Sequence, residues 1–302
     1  MASPEFVRAR RSIAAWAQQA RTASGGLDLA GMRDATDGGF IPTPADITCI
    51  PTTVGASQGE WILAPHSDPD TRLLYLHGGG YIAGGLDSHR PFVCALAQAS
   101  NFSCLHIDYR LAPEHPFPAA IEDAIVAYQT IFSTGPSGPK AARKVVVGGD
   151  SAGGGLTLST LLAARDRHLP RAAAGFTLSA YTDCALTGES VKTCVEVDPV
   201  IGPRMIPEAV AHYLGGADPR NPLASPLYAD PTGLVPLLMQ VGDCEILRDD
   251  TTRFAKQALA AGVDITLEIW PEMVHGWQLF LGIFPEANEA VARISAFVRG
   301  DA

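Results

Sequence analysis

Ser151 lies at the centre of Gly149-Asp150-Ser151-Ala152-Gly153 and is the residue of this chain best placed to act as a nucleophile. A β-branched apolar run, Val145-Val146-Val147-Gly148, precedes it, and a helix-forming stretch from Gly155 to Ala164 follows. A strand that turns sharply into a helix across G-x-S-x-G lifts the serine hydroxyl clear of the sheet edge. A side chain at Gly149 or Gly153 would collide with the neighbouring strand and helix, which accounts for both glycines. The helix that starts at Ser151 aims unpaired N–H groups and its positive end at the reacting centre. Such a serine suits acyl transfer through a covalent intermediate.

A second glycine segment, His77-Gly78-Gly79-Gly80, follows the apolar run Leu73-Leu74-Tyr75-Leu76. A carbonyl that becomes tetrahedral needs hydrogen-bond donors fixed around its oxygen, and backbone amides serve without reorganising. The amides of Gly78, Gly79 and Ala152 are assigned this oxyanion role. His77 is read as orienting the glycine loop, and Asp150 as anchoring the elbow turn.

The hydroxyl also needs an imidazole to take its proton and a carboxylate to hold that imidazole. On such a sheet the chain order is serine, acid, histidine, each in a loop after a strand. His275 satisfies this order, in the loop that follows the strand predicted at 265–270. His168 ends the elbow helix and His212 falls inside a predicted insertion, so neither competes. Four carboxylates follow the strand at 237–242: Asp243, Glu245, Asp249 and Asp250. The last two precede a helix and read as its caps. Spacing leaves Asp243 and Glu245 both open, with aspartate the commoner residue in this role.

These groups need a framework of alternating strands and helices. Strands are predicted near 47–53, 59–64, 73–77, 103–108, 145–149, 175–179, 237–242 and 265–270. Helices are predicted near 89–100, 119–133, 152–168, 250–261 and 287–299. The alternation implies an α/β class with a mostly parallel sheet covered on both faces. Residues 135–139 read as a surface loop. Residues 183–232, rich in Pro, Gly and Asp, break the alternation and read as an insertion over the C-terminal edge of the sheet, where ligands bind. Residues 1–45 are expected to join them as a cap, with an amphipathic helix over 5–22 whose apolar side carries Phe6, Ile13, Ala14 and Trp16. The catalytic domain is then 46–182 and 233–302.

The 302 residues carry a net charge of −10, which argues against nucleic acid or an anionic membrane surface as partner. An apolar content of 47% is ample for a large core. No run of about 18 apolar residues suggests a transmembrane helix, and the N-terminus lacks a signal-peptide core. The six cysteines, at 49, 94, 104, 184, 194 and 244, form no C-x-x-C pair and read as buried thiols. These features together predict a soluble, cytoplasmic protein. The chemistry outlined above requires neither metal nor organic cofactor.

Together these residues resemble the hormone-sensitive-lipase-like esterases of the α/β-hydrolase superfamily, called family IV among bacterial lipolytic enzymes. The matching pieces are His77-Gly78-Gly79-Gly80, Asp108-Tyr109-Arg110-Leu111-Ala112-Pro113-Glu114, and the elbow extended to Gly154. The resemblance implies an α/β-hydrolase fold with a mostly parallel eight-stranded sheet and a helical cap, and the hydrolysis of short- to medium-chain acyl esters. The family's Asp-Pro-Leu-x-Asp pattern lies over Glu245-Ile246-Leu247-Arg248-Asp249, which selects Glu245 as the acid and keeps Asp243 as the alternative. Tyr181 and Trp277 stand where tryptophan and phenylalanine are common, implying an altered pocket. Asp108 and Glu114 are expected to fix the loop near Arg110, itself a structural ion-pair residue. Met205, Ile206, Val210 and Tyr213 either line an acyl channel or pack the cap. A homodimer through the last strand and the helix near 287–299 is implied, since an open strand edge invites pairing. An amidase, a deacetylase or a lactonase would use the same constellation. A non-catalytic ligand-binding receptor is disfavoured, because Ser151, His275 and a carboxylate are all present.

Overall fold

The computed structural model describes residues 2–37 and 42–301. Residues 1 and 38–41 of the expected N-terminal cap segment lie outside the described residues. Among the described residues, eight strands form one sheet: β1 (Thr48–Val54), β2 (Ser57–Leu63), β3 (Asp68–Leu76), β4 (Phe102–Asp108), β5 (Lys144–Asp150), β6 (Ala174–Leu178), β7 (Leu237–Gly242) and β8 (Ile265–Trp270). Their spatial order is β1-β2-β4-β3-β5-β6-β7-β8. Strand β2 is antiparallel to both its neighbours, and the strands from β4 to β8 run parallel. The main helices are α1 (Pro4–Ala17), α2 (Leu29–Asp37), α3 (Leu86–Ser100), α4 (Ala119–Ser133), α5 (Ser151–Asp166), α6 (Met205–Leu214), α7 (Arg248–Ala260) and α8 (Pro285–Arg299).

Side-chain alternation along the strands divides the core into two layers. In β3, Leu74 and Leu76 point to the face covered by α4, α5 and α7, while Leu73 and Tyr75 point to the face covered by α1, α3 and α8. Val145 and Val147 of β5 share the first face, and Val146 the second. Burial on both sides explains why the central strands read as unbroken apolar runs.

The predicted sheet is present strand for strand, and β7 and β8 have the predicted bounds. Four readings change. The N-terminal helix ends at Ala17 and continues only as a 3-10 turn, Gln18–Ala20. Phe6 and Ile13 are buried on it, while Ala14 and Trp16 are half-buried. Residues 135–139 contribute to a minimal hairpin rather than an open loop. Helices α2 and α6 occupy segments in which glycine and proline mask the helical period. Finally, Asp249 and Asp250 do not cap α7, which begins before them at Arg248. The Asp250 carboxylate instead accepts from the amides of Thr182 and Asp183 at 2.7 and 2.8 Å, and that of Asp249 from the amide of Ser190 at 2.9 Å. Burial pushes the Asp250 carboxyl up to about 8.

The sheet brings the end of β3 against the turn between β5 and α5. A Cβ on Gly149 would fall on the carbonyl oxygen of Leu76, and one on Gly153 would fall on the carbonyls of both Leu76 and His77. Backbone cannot yield as a side-chain end can, so Gly153→Ala is expected to cost about 3 kcal/mol. Urea unfolding monitored by circular dichroism measures this, and an unchanged midpoint would show that the turn relaxes freely.

Candidate active site

Strand β5 ends at Asp150 and α5 begins at Ser151 with no residue between them. Ser151 adopts φ +52°, a left-handed conformation that costs a side-chain-bearing residue about 1–3 kcal/mol. The surrounding backbone holds it there and directs its hydroxyl to the C-terminal edge of the sheet. Ser151 Oγ lies 2.9 Å from His275 Nε2, and His275 Nδ1 lies 3.1 Å from Glu245 Oε2. The turn from β5 into α5 and the loops after β7 and β8 thus bring three of the predicted residues into one chain of contacts.

Glu245 is fully buried, and both its oxygens are engaged. Its Oε1 accepts from the Ser179 hydroxyl at 2.8 Å and from the Gly242 amide at 2.6 Å. Asp243, the alternative acid, faces away, and its Oδ1 accepts from the amide of Glu272 at 2.6 Å. The chain between them makes the turn after Gly242, so two residues separate a carboxylate facing His275 from one facing the surface loop.

Burial lowers the His275 pKa, but the hydrogen bond and charge of Glu245, with the charge of Asp198, outweigh it. The net shift is upward from 6.5. Asp198 comes from the 183–232 segment, where its carboxylate accepts from the amides of Ile246, Val200 and Ile201. Burial raises the Asp198 carboxyl. Sequence reasoning missed both Asp198 and Ser179. Ser179 follows β6 at φ +49°, and its position after a central strand was the available signal. No pattern marked Asp198.

The predicted oxyanion donors divide. The Gly78 amide is occupied, donating to Asp150 Oδ1 at 2.9 Å, and a Cβ there would fall on Asp150 Oδ2. Gly78 therefore faces the protein interior rather than the pocket, which corrects its assignment. Gly79 and Gly80 line the pocket, and among the described residues their amides have no hydrogen-bond partner. Ala152 is the second residue of α5, where an N–H has no intrahelical acceptor.

The pocket over Ser151 is walled mainly by apolar side chains. Trp16 and Met32 come from the N-terminal segment, Val200, Ile201, Met205 and Ile206 from 183–232, and Phe280 from the loop after His275. Arg21 donates to the carbonyls of Pro199 and Val200 and Arg204 to that of Ser24, so the two segments are bonded together. Val210 and Tyr213 pack away from the pocket, with Tyr213 stacked on Tyr81 at 3.8 Å. Tyr181 lines the pocket, whereas Trp277 is buried against Trp270 and does not.

Arg110 is an ion-pair residue as expected, but its main partner is Asp123, at 2.8 Å. Glu114 instead pairs with Arg33 of α2, and Asp108 lies 4.0 Å from His77. His77 is buried and stacked on Tyr109 at 4.1 Å, behind the glycine loop it was expected to orient.

The sequence pattern of the alpha/beta hydrolase fold matches residues 73–279. The chain is 41% identical over 257 residues to an acetyl-hydrolase of Streptomyces hygroscopicus, covering 85% of this chain and 83% of that one. It is 34% identical to an esterase of Acinetobacter venetianus, covering 85% and 84%. Among solved structures, an esterase from the bacterial hormone-sensitive lipase family superposes with a TM-score of 0.90 at 42% identity, over 99% of both chains. The esterase EstE5, in crystals soaked with p-nitrophenyl butyrate, superposes with a TM-score of 0.91 at 39% identity, again over 99% of both. No helix among the described residues is long and apolar enough to cross a membrane. The chain belongs to the α/β-hydrolase fold family, in its hormone-sensitive-lipase-like branch of bacterial esterases, and is a carboxylic ester hydrolase.

Proposed function

We propose that this esterase cleaves short- to medium-chain acyl esters through an acyl-enzyme on Ser151. The observation that carries the reading is the Ser151–His275–Glu245 contact chain at the floor of an apolar pocket. Ser151 Oγ attacks the ester carbonyl carbon while His275 Nε2 takes its proton. The amides of Gly79, Gly80 and Ala152 receive the oxyanion. His275 then gives the proton to the leaving alcohol. Water, deprotonated by the same nitrogen, attacks the acyl carbon; the bond from that carbon to Ser151 Oγ then breaks, His275 returns the proton to Oγ, and the carboxylic acid leaves. Glu245 keeps His275 in the Nδ1–H tautomer and stabilises the imidazolium without taking the proton.

The N-terminal segment and residues 183–232 act together as a cap over the pocket that receives the substrate. The acetyl-hydrolase name of the Streptomyces relative favours the short end of the acyl range and keeps deacetylation as the nearest rival activity. All six cysteines are free thiols, which suits a reducing cytoplasm. We also infer a homodimer through β8 and the adjacent helix α8: among the described residues β8 pairs with β7 alone, and Ile269 is exposed to 48%.

Hydrolysis of p-nitrophenyl esters from acetate to palmitate tests the main reading. Activity is expected to be highest on short chains, and Ser151→Ala to lose about 10⁴-fold or more. Glu245→Gln should be severely impaired and Asp243→Asn close to wild type; the reverse order would move the acid to Asp243. Wild type inactive on every ester would turn attention to amides and lactones. No step needs a metal, so chelators should leave the rate unchanged and a phosphonate should abolish it.

The base must be neutral to accept a proton, so kcat/KM rises with pH through the His275 pKa. Its acidic limb is expected above 6.5, and Glu245→Gln, which removes the upward pull, should move it to lower pH. A limb that stays in place in this variant would contradict Glu245 as the partner of His275. Light scattering at micromolar concentration checks the dimer, and a monomer would reject it.

A further inference from the structure

A buried polar chain that none of the acyl-transfer steps uses lies behind the glycine loop. Asp150 Oδ1 accepts from the Gly78 amide at 2.9 Å and from the Tyr75 hydroxyl at 2.7 Å. Its Oδ2 lies 3.4 Å from His89 Nε2, which is also 3.3 Å from the Gly78 nitrogen. Across the imidazole ring, His89 Nδ1 lies 2.7 Å from the Ser88 hydroxyl. The Ser88 oxygen in turn accepts from the Gly85 amide at 2.9 Å. His89 and Asp150 are both buried, and Ser88, His89 and Asp150 all border the pocket.

We propose that His89 is a positioning residue for ester hydrolysis: it fixes the Asp150 carboxylate, and through it the Gly78 amide and the direction of the Gly79 and Gly80 amides that follow. The inference rests on the acyl-transfer reading of the same pocket. Three consecutive glycines cannot hold their own amides in place, and Gly79 and Gly80 adopt φ +114° and +64°. Their restraint must come from flanking groups. Asp150 is the neighbour of Ser151, so its charge-assisted bond to Gly78 ties the donor loop to the nucleophile's own turn. A buried carboxylate oxygen with no partner is costly and leaves the group free to swing. His89 partners Oδ2, and Ser88 sets the orientation of the ring. Small displacements of the donors weaken the tetrahedral state more than the bound ester, because the bonds to oxygen strengthen as charge develops.

The test is His89→Ala and His89→Gln assayed with p-nitrophenyl butyrate, together with inhibition by a trifluoromethyl ketone that forms a tetrahedral adduct on a serine. His89→Ala is expected to lower kcat about tenfold while KM stays within about twofold. Ketone affinity should fall by a similar factor. Glutamine, whose amide nitrogen reaches the place of Nε2, should recover most of both losses. An unchanged kcat, a rise in KM alone, or a fall in kcat with undiminished ketone affinity would overturn the proposal. Should His89→Ala fail to fold, Ser88→Ala carries the same test, again with kcat and ketone affinity falling together at steady KM. An unchanged kcat in that variant overturns the proposal. Wild type inactive on the ester, or activity surviving Ser151→Ala, would instead sink the acyl-transfer reading itself.

Discussion

The site depends on the close contact between the end of β3 and the elbow turn. Gly153 packs against the carbonyls of Leu76 and His77 with no room for a Cβ, and Gly149 against that of Leu76. This one approach joins two functions. It holds Ser151 in its left-handed conformation, and it sets the glycine loop that continues from His77 beside the nucleophile. The pairing of β3 with β5, from Thr71 opposite Lys144 to Leu76 opposite Gly149, makes the approach possible. A slip of one residue would turn every side chain of β5 to the wrong face and separate the two loops.

The second demand is a buried negative charge. A carboxylate at 0% exposure is tolerated only when its oxygens are bonded. Ser179, Gly242 and His275 meet that demand for Glu245, from the end of β7 and from the segments after β6 and β8 at the same sheet edge. The charge then serves the histidine, because an imidazolium beside a fixed carboxylate costs less to form. Asp198 adds to this field from the 183–232 segment without bonding to the ring. Packing that segment onto the sheet therefore both walls the pocket and adjusts the base.

Much of this framework was legible in the sequence, for a physical reason. Central parallel strands are buried on both faces, so their apolar runs stand out, and glycines forced by backbone contact mark the turns between them. Ser151 and His275 followed from chain order on such a sheet. The acid did not, because Asp243 and Glu245 both sit in the turn after β7. Only the path of that turn decides which of them faces His275. Helices α2 and α6 were also hidden, since their stability comes from packing on each other's segments through groups such as Glu208, which accepts from the Leu27 amide at 3.1 Å. That contact spans most of the chain and leaves no local signature.

The donor loop illustrates the same limit at atomic scale. His77-Gly78-Gly79-Gly80 announces an anion-binding backbone, but not which amides remain unpaired. The Asp150 side chain decides this by occupying Gly78. An aspartate beside the nucleophile looked like a local anchor of the elbow, yet its oxygens reach across to β3, the glycine loop and α3. The same side chain thus removes one donor from the set and fixes the position of the next two. A glycine-rich loop supplies access, and the rigidity that catalysis also needs must come from a neighbouring charge held from both sides.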